Sequence, residues 1–277
     1  MNKLILKYSS MLLALSLLFS SCQKVIDVKL KDAKAVYVVE ALITDEAGFN
    51  SITISQSKPF DENNTFPQIS GADVIVTDIT TNAVYNFAET SPGKYTHPTL
   101  ATILDHEYQL DIDINGEKIT GKSRMPNVKV PLDSVSIAKS DFSAFIGFDL
   151  YVAIPVYTDP IEKGNNYLVK GYLNGVNTTP YEYDNDEFRN GQTNKSSVTV
   201  RERDPDIEKD QEFQPGDTIM MELYCTDRPV YTFYRTLSQN ASSALGTPTN
   251  PVSNIYGDVM GVFNAATVSR KSTIANY

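Results

Sequence analysis

The residues with the most specific chemical signature lie near the start of the chain, where Cys22 directly follows two serines. Lys3 and Lys7 precede an apolar stretch over residues 11–19, which is too short for the ~20 residues of a membrane-spanning helix. A charged start, a short apolar stretch and small residues before a cysteine are typical of a lipoprotein signal, in which the thiol receives a diacylglycerol. The pattern predicts a signal peptide over residues 1–21 and lipidation at Cys22; an ordinary secretory signal is the alternative.

The overall charge of the protein argues against some classes of binding partner. Among 277 residues, 34 are acidic and 24 are basic lysines or arginines, which gives a formal net charge of −10. An acidic surface without basic clusters repels phosphates, so the composition argues against nucleic-acid binding. It also has no attraction for anionic lipid headgroups. We therefore expect attachment to the membrane to depend on the N-terminal lipid.

Residue types suited to catalysis are sparse. Nucleophilic hydrolysis needs a serine or cysteine beside a base, and the sequence has two histidines, His97 and His106, both predicted at loops or strand entrances. Nucleophile elbows, closely spaced zinc ligands and phosphate-binding glycine loops are absent from the sequence. We predict that the protein is not an enzyme and uses no cofactor. A pair of catalytic carboxylates stays open as an alternative, because composition cannot single out two of the acidic residues.

The densest acidic segment, residues 182–187, contains the weak metal candidates of the chain. Asp184 and Asp186 match the opening of a calcium-loop pattern, in which alternate side chains supply oxygen ligands. The rest of the segment departs from that pattern, since no glycine occupies the sixth position and no glutamate the twelfth. We therefore favour a solvated loop over a calcium site.

Aromatic residues around the same segment form a candidate binding surface. Tyr181, Tyr183 and Phe188 flank the acidic residues, and Tyr231 and Tyr234 lie on a predicted helix. Tyrosine is enriched at binding interfaces, but helix-to-sheet packing uses the same residues. Both interpretations stay open, with packing favoured.

The second cysteine, Cys225, lies in an apolar stretch over residues 218–226. If Cys22 carries lipid, Cys225 has no partner for an intramolecular disulfide. We predict that Cys225 is a buried, apolar side chain.

Alternating apolar and polar residues predict that the N-terminal half is a β-sandwich. Asn115-Gly116 between two alternating stretches is a strong hairpin signal. Seven short strands without a helix indicate an antiparallel sandwich of immunoglobulin-like proportions over residues 35–125, after a tether at 22–34. The predicted strands lie near residues 36–43, 51–55, 72–78, 83–87, 107–114 and 117–123, and a turn at residues 92–96 leads into one more short strand.

Two prolines mark a predicted linker at residues 126–131, followed by a second β-rich domain over 132–277. One short helix is predicted near residues 228–243, capped by Asp227. The fold class is therefore mainly β, with two antiparallel β-sandwich domains and one short helix in the second. The strands of the second domain are predicted near residues 133–139, 148–157, 166–173, 180–183, 197–202, 218–226 and 258–268.

The order of several short segments resembles a known family. The segments are CQKVID (22–27), VVEALITD (38–45), ISGADV (69–74), PGKY (92–95), DP (159–160), NNY (165–167), FQPGD (213–217) and NIYGDVMGVF (254–263). Together they resemble the domain-of-unknown-function family 4249 of Bacteroidetes outer-membrane lipoproteins. The last segment departs from the family pattern, which usually contains more glycine. In this chain Asp258 and Met260 occupy positions in that segment.

The resemblance implies a lipid-anchored protein of the outer membrane, bearing palmitate at Cys22, and supplies no catalytic residues. It implies an accessory or ligand-capture partner of a TonB-dependent transporter, while a structural or adhesive envelope protein that binds surface proteins or glycans is the alternative. Two triplets that begin at Asp133 and Asp217 resemble the O-glycosylation pattern of that phylum, at Ser134 and Thr218. The ligand, the partner and the face of the outer membrane, periplasmic or external, stay open.

Overall fold

The computed structural model describes residues 35–58, 65–147, 149–178, 180–198, 200–202, 211–242 and 249–277. The predicted signal peptide, the tether and Cys22 lie outside these ranges. None of the helices within them is long and apolar enough to cross a membrane.

Alternating sequence patterns form the first seven strands as predicted. In the sixth strand every second residue is buried, because successive side chains of a strand point to opposite faces. Asn115 and Gly116 both have a positive φ, 53° and 89°, as a tight hairpin turn requires. The strands are β1 (Tyr37–Thr44), β2 (Ser51–Gln56), β3 (Asp73–Asp78), β4 (Ala83–Ser91), β5 (Lys94–Thr96), β6 (Glu107–Ile114) and β7 (Glu117–Arg124).

The second part of the chain contains strands of very different length and both helices of the described residues. Asp227 caps the long helix as predicted, since its Oδ1 accepts the backbone N–H of Val230 at 3.0 Å. The elements are β8 (Ser134–Lys139), α1 (Ser143–Ile146), β9 (Tyr151–Val156), β10 (Asn166–Leu173), β11 (Val176–Asn177), β12 (Glu182–Asn185), β13 (Arg201–Glu202), β14 (Gln211–Glu212), β15 (Thr218–Thr226), α2 (Arg228–Ser242), β16 (Ile255–Tyr256) and β17 (Val259–Ile274).

Most strands belong to one large sheet, in the order β11-β10-β15-β17-β1-β2-β5-β4-β3-β6-β7-β16, with β12 also paired to β10. Strands β8–β9 and β13–β14 form two small sheets. The mainly β fold is thereby confirmed. The large sheet is mixed rather than purely antiparallel, because β17 pairs in parallel with β1, from Tyr37 opposite Val259 to Thr44 opposite Ala266.

The hydrophobic side chains form separate clusters before and after the predicted linker. The first cluster runs from Val39 to Met125 and includes Phe263 of β17, and a second one begins at Val130. Strand β17 therefore contributes to the packing of the N-terminal half, although it comes from the C-terminal end of the chain. The predicted domain boundary at residues 126–131 stays a prediction.

A third cluster lies beneath α2, on the face of the large sheet that is opposite the second cluster. Val230 and Phe233 of α2 pack there with Leu168, Tyr224 and Val262 of strands β10, β15 and β17. These three strands are therefore buried on both faces, which explains their nearly continuous apolar sequences. The helix covers only part of this face and leaves a cleft beside it.

A tyrosine-lined cleft

In strands β10 and β15, successive side chains point to opposite faces of the sheet, so that core residues lie on one face and cleft residues on the other. In β10, Tyr167 and Val169 enter the second cluster, whereas Lys170 and Tyr172 line a cleft on the other face. Tyr224 of β15 lies on the cleft side as well. The period of two residues in a strand is what brings these side chains together.

The cleft has a volume of ≈ 240 Å³ and lies between the sheet and α2. We call it the tyrosine cleft, because its wall contains four tyrosines. Phe49 and Lys170 complete the inner wall, and polar side chains from β1, β2 and β17 stand around it. The tyrosines are Tyr172, Tyr181, Tyr224 and Tyr234, and the polar side chains include Glu40, Ser51, Thr53 and Asn264.

The tyrosine rings hold one another in place through edge and tilted contacts. The ring centroids of Tyr181 and Tyr234 lie 4.9 Å apart with planes at 53°, and those of Tyr181 and Tyr224 lie 5.7 Å apart at 69°. Such geometries are favoured over face-to-face stacking because a ring edge is positive and a ring face negative. The wall of the cleft is therefore formed before any ligand binds.

A buried carboxylate, that of Glu222 in β15, fixes the tyrosine hydroxyls. Its Oε2 accepts hydrogen bonds from Tyr172 at 2.8 Å and Tyr224 at 2.6 Å, and its Oε1 accepts one from Nε of Arg270 at 2.6 Å. Arg270 also pairs with Glu46. Its guanidinium lies 3.8 Å from the ring centroid of Phe49.

Burial, together with this network, raises the pKa of two tyrosines above the ordinary value of a phenol. Burial raises the pKa of Tyr172, and the hydrogen bond to Glu222 raises it further. For Tyr224, burial is again the largest cause of a raised pKa, with Tyr181 and Glu222 adding to it. Both phenols therefore stay protonated at neutral pH and act as hydrogen-bond donors to Glu222.

Like Glu40 at the edge of the cleft, Lys170 on the inner wall has no ion-pair partner among the described residues. Its ammonium lies 4.9 Å from the ring centroid of Tyr181 and 5.7 Å from that of Tyr172, within the range of cation–π attraction. Lys170 is opposite Glu222 in the strand register, but the Glu222 carboxylate is occupied by Arg270 and two tyrosines. Its three N–H donors are available to a ligand.

A second cavity of ≈ 270 Å³ lies at the N-terminal end of α2. Its charged groups have protein partners. Arg124 pairs with Asp105 at 2.8 Å, and Arg228 pairs with Glu187 at 3.0 Å. Asp227 receives hydrogen bonds from its surroundings, including the helix that it caps. We therefore take the tyrosine cleft as the candidate site.

The structure places the three residues of the predicted aromatic surface in different surroundings. Tyr181 lines the cleft and contacts Tyr234, while Tyr183 packs against Tyr231 with ring centroids 5.7 Å apart. Phe188 is 91% exposed and does not line the cleft. Helix packing and cleft formation thus use the same tyrosines, and ligand binding by these residues stays a prediction.

The two calcium candidates have different protein partners. Asp184 accepts a hydrogen bond from the hydroxyl of Tyr157 at 3.0 Å and pairs with Arg189. Asp186 accepts the backbone N–H groups of Gly164 at 2.6 Å and Asn165 at 3.0 Å. Across the described ranges, no group of three or more His, Cys, Asp or Glu side chains could hold a metal ion.

The histidines and Cys225 have local partners too. His106 Nδ1 lies 2.8 Å from Asp78 Oδ2, and His97 Nδ1 accepts the N–H of Leu100 at 3.0 Å. Cys225 is buried, and its Sγ accepts the N–H of Val130 at 3.4 Å. Burial raises the pKa of the Cys225 thiol, so it stays protonated and unreactive.

Most residues of the cleft were not predicted from the sequence. Lys170, Tyr172 and Arg270 come from two separate strands, and nothing in their local sequence marks them. One signal was present: Glu222 interrupts the apolar stretch of β15, and a charge in such a position requires a buried partner.

A family model matches most of the chain. The family model described as "Domain of unknown function (DUF4249)" matches residues 23–272. No curated protein matches the chain.

Proposed function

This chain belongs to the DUF4249 family, whose domain has no defined function, and from that premise we propose that it captures a small ligand in the cell envelope without transforming it. The observation that carries the proposal is the tyrosine cleft, in which formed aromatic walls surround an ammonium group without a protein partner. Because these rings and this charge are already held in place, the protein loses less conformational entropy when a ligand binds.

The membrane part of the proposal rests on the sequence. We propose that Cys22 is lipidated and anchors the protein in an outer membrane of the Bacteroidetes type. We further propose that the protein delivers its ligand to a TonB-dependent barrel. Support comes from the signal-like sequence before Cys22 and from the family resemblance of the segments listed above.

The anchor and the partner can be tested in one preparation. Tagged protein is recovered from native outer membranes after mild crosslinking, and the proteins that accompany it are identified by mass spectrometry. We expect a TonB-dependent barrel in near-stoichiometric amount, and we expect Cys22→Ala to leave the membrane fraction. Recovery of the lipoprotein without any barrel would contradict the transporter partnership.

A second candidate function is adhesion within the envelope, and one observation favours it. Phe188 is 91% exposed and Ile161 is 78% exposed, in two loops joined by a hydrogen bond from Asn190 to the carbonyl of Ile161. Exposed apolar side chains of neighbouring loops are typical of contact sites. If Phe188→Ser weakens surface binding while the cleft variant Tyr181→Ala does not, adhesion is the better description.

A further inference from the structure

Given the proposed capture function, on which this step rests, we infer that the tyrosine cleft takes a sugar ring that carries a carboxylate, a ligand of the uronic acid class. Three features of the cleft lead to this class of ligand. They are the unpaired ammonium of Lys170, the compensated charge of Glu222, and a wall that combines aromatic faces with hydroxyl groups.

The ammonium of Lys170 defines the charge of the ligand. The side chain is half-buried, and a partly desolvated charge without a counter-ion is unfavourable. The rings of Tyr172 and Tyr181 offset part of this cost but accept no conventional hydrogen bond. A carboxylate of the ligand would supply both the opposite charge and the acceptors for the N–H donors of Lys170.

The carboxylate of Glu222 lies behind the lining of the cleft. It is 2% exposed, and Arg270 and the hydroxyls of Tyr172 and Tyr224 oppose its charge. Glu40 is the acid of the lining itself. It is exposed, but after burial its charge is among the causes that raise the pKa of Tyr181 and Tyr234, so an anion is favoured beside the Lys170 ammonium and not beside Glu40.

The wall fits a hydroxylated ring. The faces of Tyr181 and Tyr234 are electron-rich and attract the C–H groups of a sugar face. Ser51, Thr53 and Asn264 offer hydrogen-bonding groups for sugar hydroxyls. The volume of ≈ 240 Å³ is below the ~300–1,000 Å³ of sites for drug-sized molecules, so a single ring is the appropriate size.

The test compares two sugars that differ in one group. Full-length protein in detergent is titrated with glucuronate and, separately, with glucose, and binding is followed by calorimetry. We expect glucuronate to bind about tenfold or more tightly than glucose, because a hydrogen bond between two charged groups is roughly twice as strong as one between neutral groups. Equal affinities, or no binding of glucuronate at millimolar concentrations, would overturn the inference.

Two lysine variants assign the effect to the cleft. Lys170→Met keeps the aliphatic stem and should reduce glucuronate affinity to the level of glucose. The matched control is Lys118→Met on β7, where the side chain is 82% exposed and pairs with Asp113. It should leave both affinities unchanged. A Lys170→Met protein that binds glucuronate like the wild type would contradict the role of Lys170.

Failure of this inference can be distinguished from failure of the capture function. Small molecules that co-purify with the native protein are identified by mass spectrometry, and the same is done for Tyr234→Ala. A neutral compound that is present with the wild type and absent from the variant would overturn the acidic ligand but keep the capture function. If no compound co-purifies and neither sugar binds, both proposals are wrong.

Discussion

The two faces of strands β10, β15 and β17 differ sharply in what they bury. On one face, Val169 and Leu223 pack into a continuous apolar cluster. On the other face, Lys170, Glu222 and Arg270 stand among tyrosines beside α2. The first face is thus an apolar core, whereas the second combines the apolar cluster beneath α2 with a charged, hydrogen-bonded wall.

This difference separates stability from binding. An apolar cluster stabilises the fold by removing hydrocarbon surface from water. A buried ion pair such as Glu222–Arg270 adds little net stability, because desolvation of the charges offsets their attraction. We therefore attribute the charged face to the shape and charge of the cleft, and the apolar face to the stability of the sheet.

The largest expected effect comes from removing the carboxylate that three side chains share. Glu222→Leu should lower the free energy of unfolding by about 2–6 kcal/mol, because the buried hydroxyls of Tyr172 and Tyr224 lose their acceptor and Arg270 keeps only Glu46. Urea unfolding followed by circular dichroism measures the loss. Glu222→Gln keeps an acceptor oxygen for the hydroxyls and should recover part of the stability. A Glu222→Gln protein as unstable as Glu222→Leu would contradict the role of these hydrogen bonds.

On the opposite face, Leu223→Ala should lower the free energy of unfolding by about 3 kcal/mol, because it leaves a cavity in the second cluster. The affinity for ligand should stay unchanged, since Leu223 does not line the cleft. Urea unfolding and the sugar titration are run on the same preparation. A loss of affinity in a protein that remains folded would contradict the separation of the two faces.

The helix that covers the charged face depends on Asp227. Its Oδ1 caps α2 at Val230, and its Oδ2 accepts hydrogen bonds from Ser123 at 3.0 Å and the N–H of Arg124 at 2.9 Å. Asp227→Ala should lower the free energy of unfolding by about 1–2 kcal/mol.

Asp227→Asn separates the two roles of this carboxylate, because asparagine caps helices as well as aspartate does, but its amide nitrogen cannot accept the N–H of Arg124. We expect a smaller loss in thermal unfolding than for Asp227→Ala, since the cap is kept. Equal losses for Asp227→Ala and Asp227→Asn would mean that the hydrogen bonds to Ser123 and Arg124, rather than the cap, hold the helix.

The smallest expected change in stability belongs to Lys170→Met. We expect the free energy of unfolding to change by no more than about 0.5 kcal/mol, because Lys170 has no ion pair to lose within the described residues. Urea unfolding in the absence of sugar provides the measurement. A loss comparable to that of Leu223→Ala would show that Lys170 stabilises the sheet rather than serving a ligand.

Local patterns predicted the strands well and their arrangement poorly. Strands β6 and β10 follow their predicted limits because alternation and turn residues are local properties. The short strands β11, β14 and β16 and the helix α1 were not predicted, since two to four residues show no periodicity. Strand β17 extends to Ile274, beyond the predicted end at residue 268, because β15 pairs with it that far.

The cleft could not be predicted as a whole, because it forms through long-range pairing of strands that no local sequence pattern encodes. Tyr181 was singled out because aromatic residues cluster near it in the sequence. Lys170 and Arg270 lie one hundred residues apart along the chain and meet at Glu222 only because β10, β15 and β17 are neighbours in the sheet. The interruption of β15 by Glu222 was the one local sign of the network.

The parallel pairing of β1 with β17 has a consequence for the order of folding. Val39 lies opposite Gly261, so closely that a Cβ on Gly261 would stand 1.8 Å from the carbonyl oxygen of Val39. The edge of β1 that pairs with β17 has no neighbouring strand until nearly the whole chain is available, because β17 spans Val259–Ile274. Contacts of such sequence separation slow folding, so this part of the sheet closes late, after the segment that forms β17 is available.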